Sequence, residues 1–445
     1  MSAAAVDPIL VDLATLLRCP GCGGAIAATP SSLACTACGR EMPIVDGVPQ
    51  IRDAGEDPAI ERERQAVLEI ETGAPPVLAP GSTEFSLPAM LAGPCPLRTA
   101  FMSLPYDDGS AFYRENEYFR NVSMFGKAFD YVVDRLGLPA GSRVLDIGAD
   151  LTWSTSRLAR RGWKPVGIDI NHHLVASKVF REEGVHFAVA NMDMHLPAFA
   201  DGAFDGVTAF NALHHTHRLE PLIANIARMV KPGGRLGFVE PYWFLQAVYD
   251  AFGASQIEAG INENVHRLEE WHVVLVGLGF ELLECAAGQA FLGIYERVPA
   301  ERQRRISLAQ ARDEIFEPFY KSELALTAPA SLHLAPGATT RLPVRVKNLS
   351  TRTWSEVSQI PVHLCYHLLA AGDGPPATRM QRFDNPRTGI GGDLHPGQDR
   401  VIELLVEAPA APGAYEIDID LVHEGVTWFA DRLQRTVRLP LTVTA

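Results

Sequence analysis

The chain has 445 residues, 47% hydrophobic and 21% charged, with 39 basic against 53 acidic side chains and a net charge of -14. That length exceeds one ordinary core, so two to four domains of a soluble globular protein are expected. The acidic balance is a poor footprint for a nucleic-acid binder, which carries a basic face, and without a run of 18 apolar residues nothing is expected to span a membrane.

The first stretch, "MSAAAVDPILVDLATLLRCP", has no basic region ahead of an apolar core, which argues against a secretory signal and predicts a cytoplasmic protein. Four of the seven cysteines follow within the first 38 residues, as Cys19 and Cys22 and then Cys35 and Cys38, with twelve residues between the pairs. Gly21, Gly23 and Gly39 suit tight knuckle turns that bring four thiolates onto one tetrahedral zinc ion. Two disulfides or a redox pair are the alternatives; the missing export signal disfavours the first and the paired knuckles the second. Four thiolates leave no open coordination position, so such a zinc is structural. Cys95, Cys285 and Cys365 are isolated and read as ordinary semi-buried thiols. "LLRCPGCGGAI…LACTACGREMPIVDGVPQI" resembles the Trm112-like zinc ribbon family, which implies a small accessory domain over residues 1–52 and a partner domain downstream.

Residues 53–110, rich in Pro, Gly and Ala without a sustained period, read as a linker that can still pack on its neighbours or cover a site. The next segment has a helical pattern, with Phe125, Phe129, Val132, Val133 and Leu136 on one face. From Ser142 strand and helix alternate. "RVLDIG", "KPVGIDI", "VHFAVA", "FDGVTAFNA" and "RLGFVEP" are apolar strands, and "KPGG" ends the helix before the fifth. "GFELLECA" and "AFLGIYERV" supply two more. This predicts a Rossmann-like, doubly wound parallel sheet over residues 111–300, followed by a linker at 301–324.

In such a sheet the ligand lies at the carboxyl ends of the strands. Asp146 and Gly148 close the first strand, Asp169 ends the second, Asp193 follows the third and Asn211 the fourth. An acid 23 residues beyond Asp146 can accept both hydroxyls of a ribose. Any one of these residues also reads as a helix cap or loop acid; four at successive strand ends point to an adenosine-type cofactor. "VLDIG…GIDI…NMDMHLPAFADGAFDGVTAFNALHH…IARMVKPGGRLGFVEP" resembles the class I S-adenosylmethionine-dependent methyltransferases of the type 11 group. The resemblance implies that Asp146 and Gly148 shape the methionine pocket and that Asp169 binds the ribose. It further implies that Asp193 and Met194 bracket the adenine and that Asn211 lines the floor.

The departure is "GADLT", where the family's later glycines are Asp150 and Thr152. Aspartate tolerates the left-handed turn, and Asp150 can also bind the methionine ammonium. Threonine fits that conformation badly and is expected instead to cap the following helix through its hydroxyl. For an oxygen or nitrogen acceptor that needs a base, His214 and His215 follow the fourth strand, with a purely structural role as the alternative. His217, Glu240 and Tyr242 are further polar residues near strand ends.

The remainder alternates with period two, as in "RLPVRVKN" and "YEIDIDLV", between Pro/Gly turns, and predicts an antiparallel β-sandwich over residues 325–445. It resembles the Ig-like modules appended to bacterial proteins of surface-polysaccharide assembly. Trp354, Tyr366, His367 and Trp428 form either a sugar-stacking surface or core. The expected whole is a multidomain α/β plus β protein, a zinc-containing methyltransferase acting on a glycan or other small molecule. A ribosomal or transfer RNA methyltransferase and an inactive, methyltransferase-like binding scaffold are the other classes.

Overall fold

The computed structural model describes residues 5–52, 57–71, 81–196, 198–241, 257, 260–264, 266–287, 290–327, 330–354, 361–424, 427–432 and 434–444. Two compact units emerge: Met1–Leu283 with Leu292–Ser307, and Glu284–Phe291 with Leu308–Ala445.

The first unit opens on helix Pro8–Leu16, capped by the Asp7 carboxylate, which accepts from the Ile9 amide, with Pro8 in the first turn. Four short antiparallel strands follow in the order β1-β2-β3-β4: β1 Ile26–Ala28, β2 Ser32–Cys35, β3 Glu41–Val45 and β4 Val48–Pro49. The chain leaving β4 joins the larger sheet. The Ile51 amide donates to the Asn191 carbonyl at 2.8 Å, and the Arg18 amide donates to the Ala198 carbonyl at 2.7 Å.

That larger sheet has seven strands. They are β5 Arg143–Ile147, β6 Lys164–Asp169, β7 Ala188–Asn191, β8 Phe204–Phe210, β9 Val230–Glu240, β10 Phe280–Ala287 and β11 Phe291–Arg297, in the order β10-β11-β9-β8-β5-β6-β7. The pairs β5–β6, β6–β7, β5–β8 and β8–β9 are parallel. Parallel strands covered on both faces need continuous apolar runs, and Val144, Leu145, Val207, Ala209, Leu236 and Phe238 are fully buried. Chain order reverses at β5, so the loops after β5, β6, β7 and β8 converge on one crevice.

Three expectations change. The helical segment before β5 is three pieces, Ala111–Glu115, Glu117–Met124 and Gly126–Leu136, because the Asn116 side chain caps the second piece. Phe129, Val132, Val133 and Leu136 of the last piece are buried against the sheet, whereas Phe125 faces the crevice. The helix before the fifth strand ends at Met229, just ahead of "KPGG" as expected, but "KPGG" is itself already part of β9, with a register shift between Phe204 and Gly206 of β8 absorbing it. The expected linker carries helices Pro58–Glu71, Leu87–Ala92 and Pro96–Ser103; its residues 53–56 and 72–80 lie outside the described residues.

In the second unit, β12 Ser322–Leu326, β14 Thr339–Asn348 and β18 Asp399–Glu407 form one sheet. The other contains β13 Leu332–Leu334, β21 Val437–Val443, β19 Gly413–His423, β15 Val362–Ala370 and β16 Met380–Arg382 in that order, with β17 Thr388–Gly389 paired to β15 and β20 Thr427–Trp428 to β19. Side chains of both sheets share one core, including Leu342, Val344, Leu404, Leu364, Ile419 and Leu441. The predicted alternation holds along β14, but the arrangement is not wholly antiparallel: β13 runs parallel to β21. β13 and the strand after it lie in different sheets, so no hairpin constrains its direction. The four aromatic candidates do not make a sugar-stacking surface. Trp354 and Tyr366 are fully buried, Trp354 donating Nε1–H to the Phe319 carbonyl, and His367 packs at 4.2 Å on a largely buried Trp428.

β19 departs from alternation as well: Asp420 is buried beneath residues 427–432, whose Ala430 amide donates to it, and Asp418 is buried beside Arg438. Burial pushes the Asp420 carboxyl up to about 7, against the Ala430 and Leu421 amides that donate to it and with the charges of Asp418 and Asp431 adding to the rise. An unfolded aspartate ionises near 3.8. The folded state therefore holds an extra proton between about pH 4 and 7, and stability falls as pH rises through that window, by at most about 4 kcal/mol. Asp420→Asn is expected to flatten this slope in melting curves between pH 4.5 and 8. An unchanged slope in the variant would refute the assignment.

Candidate functional site

The loops after β5, β6, β7 and β8 enclose a cavity of about 400 Å³, within the range of small-molecule sites. Gly148, Asp150, Asp169, Asp193, Met194 and Asn211 all line it. Helix Pro58–Glu71 closes it with Ile60, Glu63 and Val67, helix Glu117–Met124 with Tyr118, Asn121 and Val122, and Ile261 and His215 complete the wall.

The loop after β5 keeps a left-handed course without its later glycines. Gly148 has φ 71°, Asp150 41° and Thr152 64°. A Cβ on Gly148 would stand 2.2 Å from that of Ala212, so this glycine alone is dictated by close approach. Asp150 is held in its turn by its side chain, which accepts from Asn171 Nδ2 at 3.3 Å, pairs with His173 Nδ1 and lies 3.5 Å from the Tyr118 hydroxyl. Thr152 does not cap the helix as expected. It adopts the strained conformation, and its buried hydroxyl has no partner among the described residues. Relief of that strain and of the unmet hydroxyl outweighs the lost methyl contact. Thr152→Gly is therefore expected to stabilise the fold by about 1 kcal/mol, seen as a higher urea midpoint; a lower midpoint would show that the methyl packing dominates.

Asp146 is not in the cavity. It is buried behind the loop, where its two oxygens accept from the hydroxyls of Ser154 (2.7 Å), Thr155 (2.6 Å) and Thr208 (2.9 Å), and burial raises its carboxyl despite these donors. Asp169 does face the cavity, its oxygens accepting from the Asp150 and Asn171 amides at 2.9 and 3.0 Å. Burial, and then the charge of Asp150, push Asp169 up to about 6. Burial works the same way on Asp150 and Asp193, but their partners His173 and His195 prevail and hold both carboxyls low. Asn211 has φ 58°, and its amide donates to the Val239 carbonyl at 2.7 Å.

The two histidines differ. His214 is buried between two carboxylates, Nδ1 lying 2.8 Å from Glu240 and Nε2 3.2 Å from Glu263. Burial alone would depress its pKa; the two carboxylates overcome this and push it up to about 9. It does not line the cavity. His215 does, with Nδ1 donating to the Asn262 carbonyl at 2.6 Å and standing 3.2 Å from Glu63. A carbonyl only accepts, so Nδ1 carries the hydrogen and the lone pair of the neutral ring sits on Nε2. Glu63, Glu263 and Tyr118 come from segments away from the strand ends, where the sequence carries no signal for them, and His173 follows the end of β6; His217 pairs with Asp57 at 3.1 Å, and Tyr242 lies outside the described residues.

Away from the cavity, Cys19, Cys22, Cys35 and Cys38 bring their four sulfur atoms within 4.8 Å of one another. Cys35 Sγ also accepts from the Ala37 and Cys38 amides, the geometry of a knuckle. This donor set fits a tetrahedral zinc ion. No helix among the described residues is long and apolar enough to cross a membrane.

Residues 145–238 match the family described as "Methyltransferase domain". A demethylmenaquinone methyltransferase of Tropheryma whipplei (strain Twist) is 30% identical over 166 residues, which are 34% of this chain and 68% of that protein. A ubiquinone biosynthesis O-methyltransferase of Xanthomonas oryzae pv. oryzae is 37% identical over 113 residues, 24% of this chain and 46% of that one. Among solved structures, geranyl diphosphate C-methyltransferase from Streptomyces coelicolor A3(2) is 15% identical with a TM-score of 0.40, covering 55% of this chain and all of that one.

Proposed function

Because the chain belongs to the methyltransferase-domain family, we propose that its cavity binds S-adenosylmethionine and carries out methyl transfer to a small molecule with an apolar body. Asp169 accepts the ribose hydroxyls, Asp193 and Met194 flank the adenine, and Gly148, Asp150 and Asn211 receive the methionine end. Asp146 serves the loop rather than the ligand. The observation that carries this reading is that Gly148, Asp169, Asp193 and Asn211, from four separate strand ends, line one cavity. S-adenosylmethionine supplies a methyl group on a sulfonium; the chain's task is to hold the acceptor in line with it and to exclude water. His215 is the group at the acceptor end, and His214, held between two carboxylates, positions the turn on which His215 sits.

Ile60, Val67, Val122, Phe125 and Ile261 make the acceptor wall apolar. That favours a quinol-like or otherwise lipophilic acceptor over the sugar-linked one suggested by the C-terminal resemblance. The intact left-handed loop favours an enzyme over a scaffold, and the charge of -14 disfavours an RNA substrate. We further read residues 1–52 as a Trm112-like ribbon holding structural zinc on its four cysteines, 111–300 as the methyltransferase domain and 325–445 as an Ig-like module. Calorimetry with S-adenosylmethionine on the zinc-loaded full chain tests the central reading. Micromolar binding is expected, and no binding at millimolar ligand would hand the fold to the scaffold class.

A further inference from the structure

We infer that His214, His215 and Glu263 form a divalent-cation site behind the wall of the cavity's acceptor end, which it meets through His215. Its chemistry rests on the methyl-transfer reading above; its geometry does not. One potential ligand atom from each of the three residues lies within 4.8 Å of the other two. His214 Nε2 and Glu263 Oε2 are 3.2 Å apart. Two ligands at bonds of 2.0–2.2 Å to one ion stand roughly 2.9–3.5 Å apart in tetrahedral or octahedral geometry, so this pair needs little movement to share an ion.

The outer shell points the same way. Ligating histidines characteristically donate the far ring N–H to a carboxylate or a backbone carbonyl, which fixes the tautomer and turns the other nitrogen to the metal. His214 Nδ1 is 2.8 Å from Glu240 Oε2, and His215 Nδ1 is 2.6 Å from the Asn262 carbonyl. Glu63 backs the second histidine at 3.2 Å and is itself fixed by Asn262 Nδ2 at 2.8 Å. Three carboxylates, Glu63, Glu240 and Glu263, are thus buried around two imidazoles. Removing such negative excess from water is costly, and a dication offsets it. Such an ion at Nε2 takes the place of the proton that otherwise bridges His214 to Glu263.

Two imidazoles and one carboxylate with open positions suit Mn²⁺, Fe²⁺, Co²⁺ or Zn²⁺ better than Mg²⁺ or Ca²⁺. The ion would bind the acceptor's hydroxyl oxygen and lower its pKa, the proton leaving to bulk water. The resulting oxyanion forms the new O–C bond as the S–C bond breaks, and the sulfonium electrons return to sulfur as a neutral thioether. No oxidant or reductant is involved.

Mn²⁺ is the probe of choice, because the thiolates of the ribbon select zinc. Titration with Mn²⁺ of the full chain carrying a single zinc, on its four cysteines, followed by loss of the free-ion paramagnetic signal, should show one ion bound per chain. Glu263→Gln and His215→Ala should each weaken it at least tenfold, while Glu263→Gln keeps the affinity for S-adenosylmethionine measured in parallel. Elemental analysis after growth in zinc should likewise find two ions per chain, falling to one in either variant. Binding of Mn²⁺ unchanged in both variants, or one zinc and no Mn²⁺ in the wild type, overturns the site. Mn²⁺ binding without cofactor binding would retain it and sink the methyltransferase reading instead.

Discussion

Asp169→Ala is expected to weaken S-adenosylmethionine binding by roughly 100- to 1000-fold, with little effect on folding. Each Asp169 oxygen already accepts one backbone amide, from Asp150 or Asn171, and keeps a second lone pair for the cavity. Two adjacent ribose hydroxyls fit those two oxygens. Hydrogen bonds to a charged group contribute about 1.5–3 kcal/mol each, and losing two after partial replacement by water leaves about 3–4 kcal/mol. The variant also releases the Asp150 amide, so part of the loss comes from a looser loop. Asp169→Asn separates the contributions: it keeps one acceptor, and a drop of about tenfold is expected. The parent has a pH signature too. A carboxyl pushed up to about 6 is neutral below that value, so affinity should fall as the solution is acidified through pH 6 and should not do so in the alanine variant. Calorimetry from pH 5 to 8 measures both; full affinity in Asp169→Ala would remove the residue from the ribose site.

The strands of the first unit were legible because a parallel strand buried on both faces must be apolar throughout, and β5, β6 and β8 fall on the runs "RVLDIG", "KPVGIDI" and "FDGVTAFNA". The turn after β5 was legible only in part. Asp150 keeps its positive φ through contacts to Asn171 and His173, which no local pattern reveals, and Thr152 tolerates a conformation that its own chemistry disfavours. The strand-end rule located Asp169, Asp193 and Asn211 on the cavity but misplaced Asp146, whose oxygens are consumed by three hydroxyls. It was blind to Glu63 and Glu263, some 200 positions apart in sequence; only the closing of the fold brings them to the same pair of histidines. Period two failed at Asp420 for a related reason, because a later segment covers that residue on the face of β19 that alternation assigned to solvent.

Glu240→Ala is expected to cost about 3–5 kcal/mol of stability, a large fraction of what holds an ordinary domain folded. Glu240 ends β9 and is fully buried. Its Oε1 accepts from the Ala212 and Leu213 amides at 3.0 and 2.9 Å, and its Oε2 from the His214 amide at 3.2 Å and His214 Nδ1 at 2.8 Å. One carboxylate thus satisfies the whole start of the turn that carries the histidine pair. Truncation strands three backbone N–H groups and a histidine where water has no access. Glu240→Gln is informative because it looks mild. Each oxygen serves two donors, so whichever end receives the NH₂ group confronts at least one backbone N–H. Turning that end toward His214 and shifting the imidazole proton relieves Nδ1 but leaves the His214 amide opposed. The amide variant should therefore lose about 2–3 kcal/mol in urea unfolding, with the loss persisting from pH 6 to 9. Wild-type stability in Glu240→Gln would mean that the turn is held by its packing and not by this carboxylate.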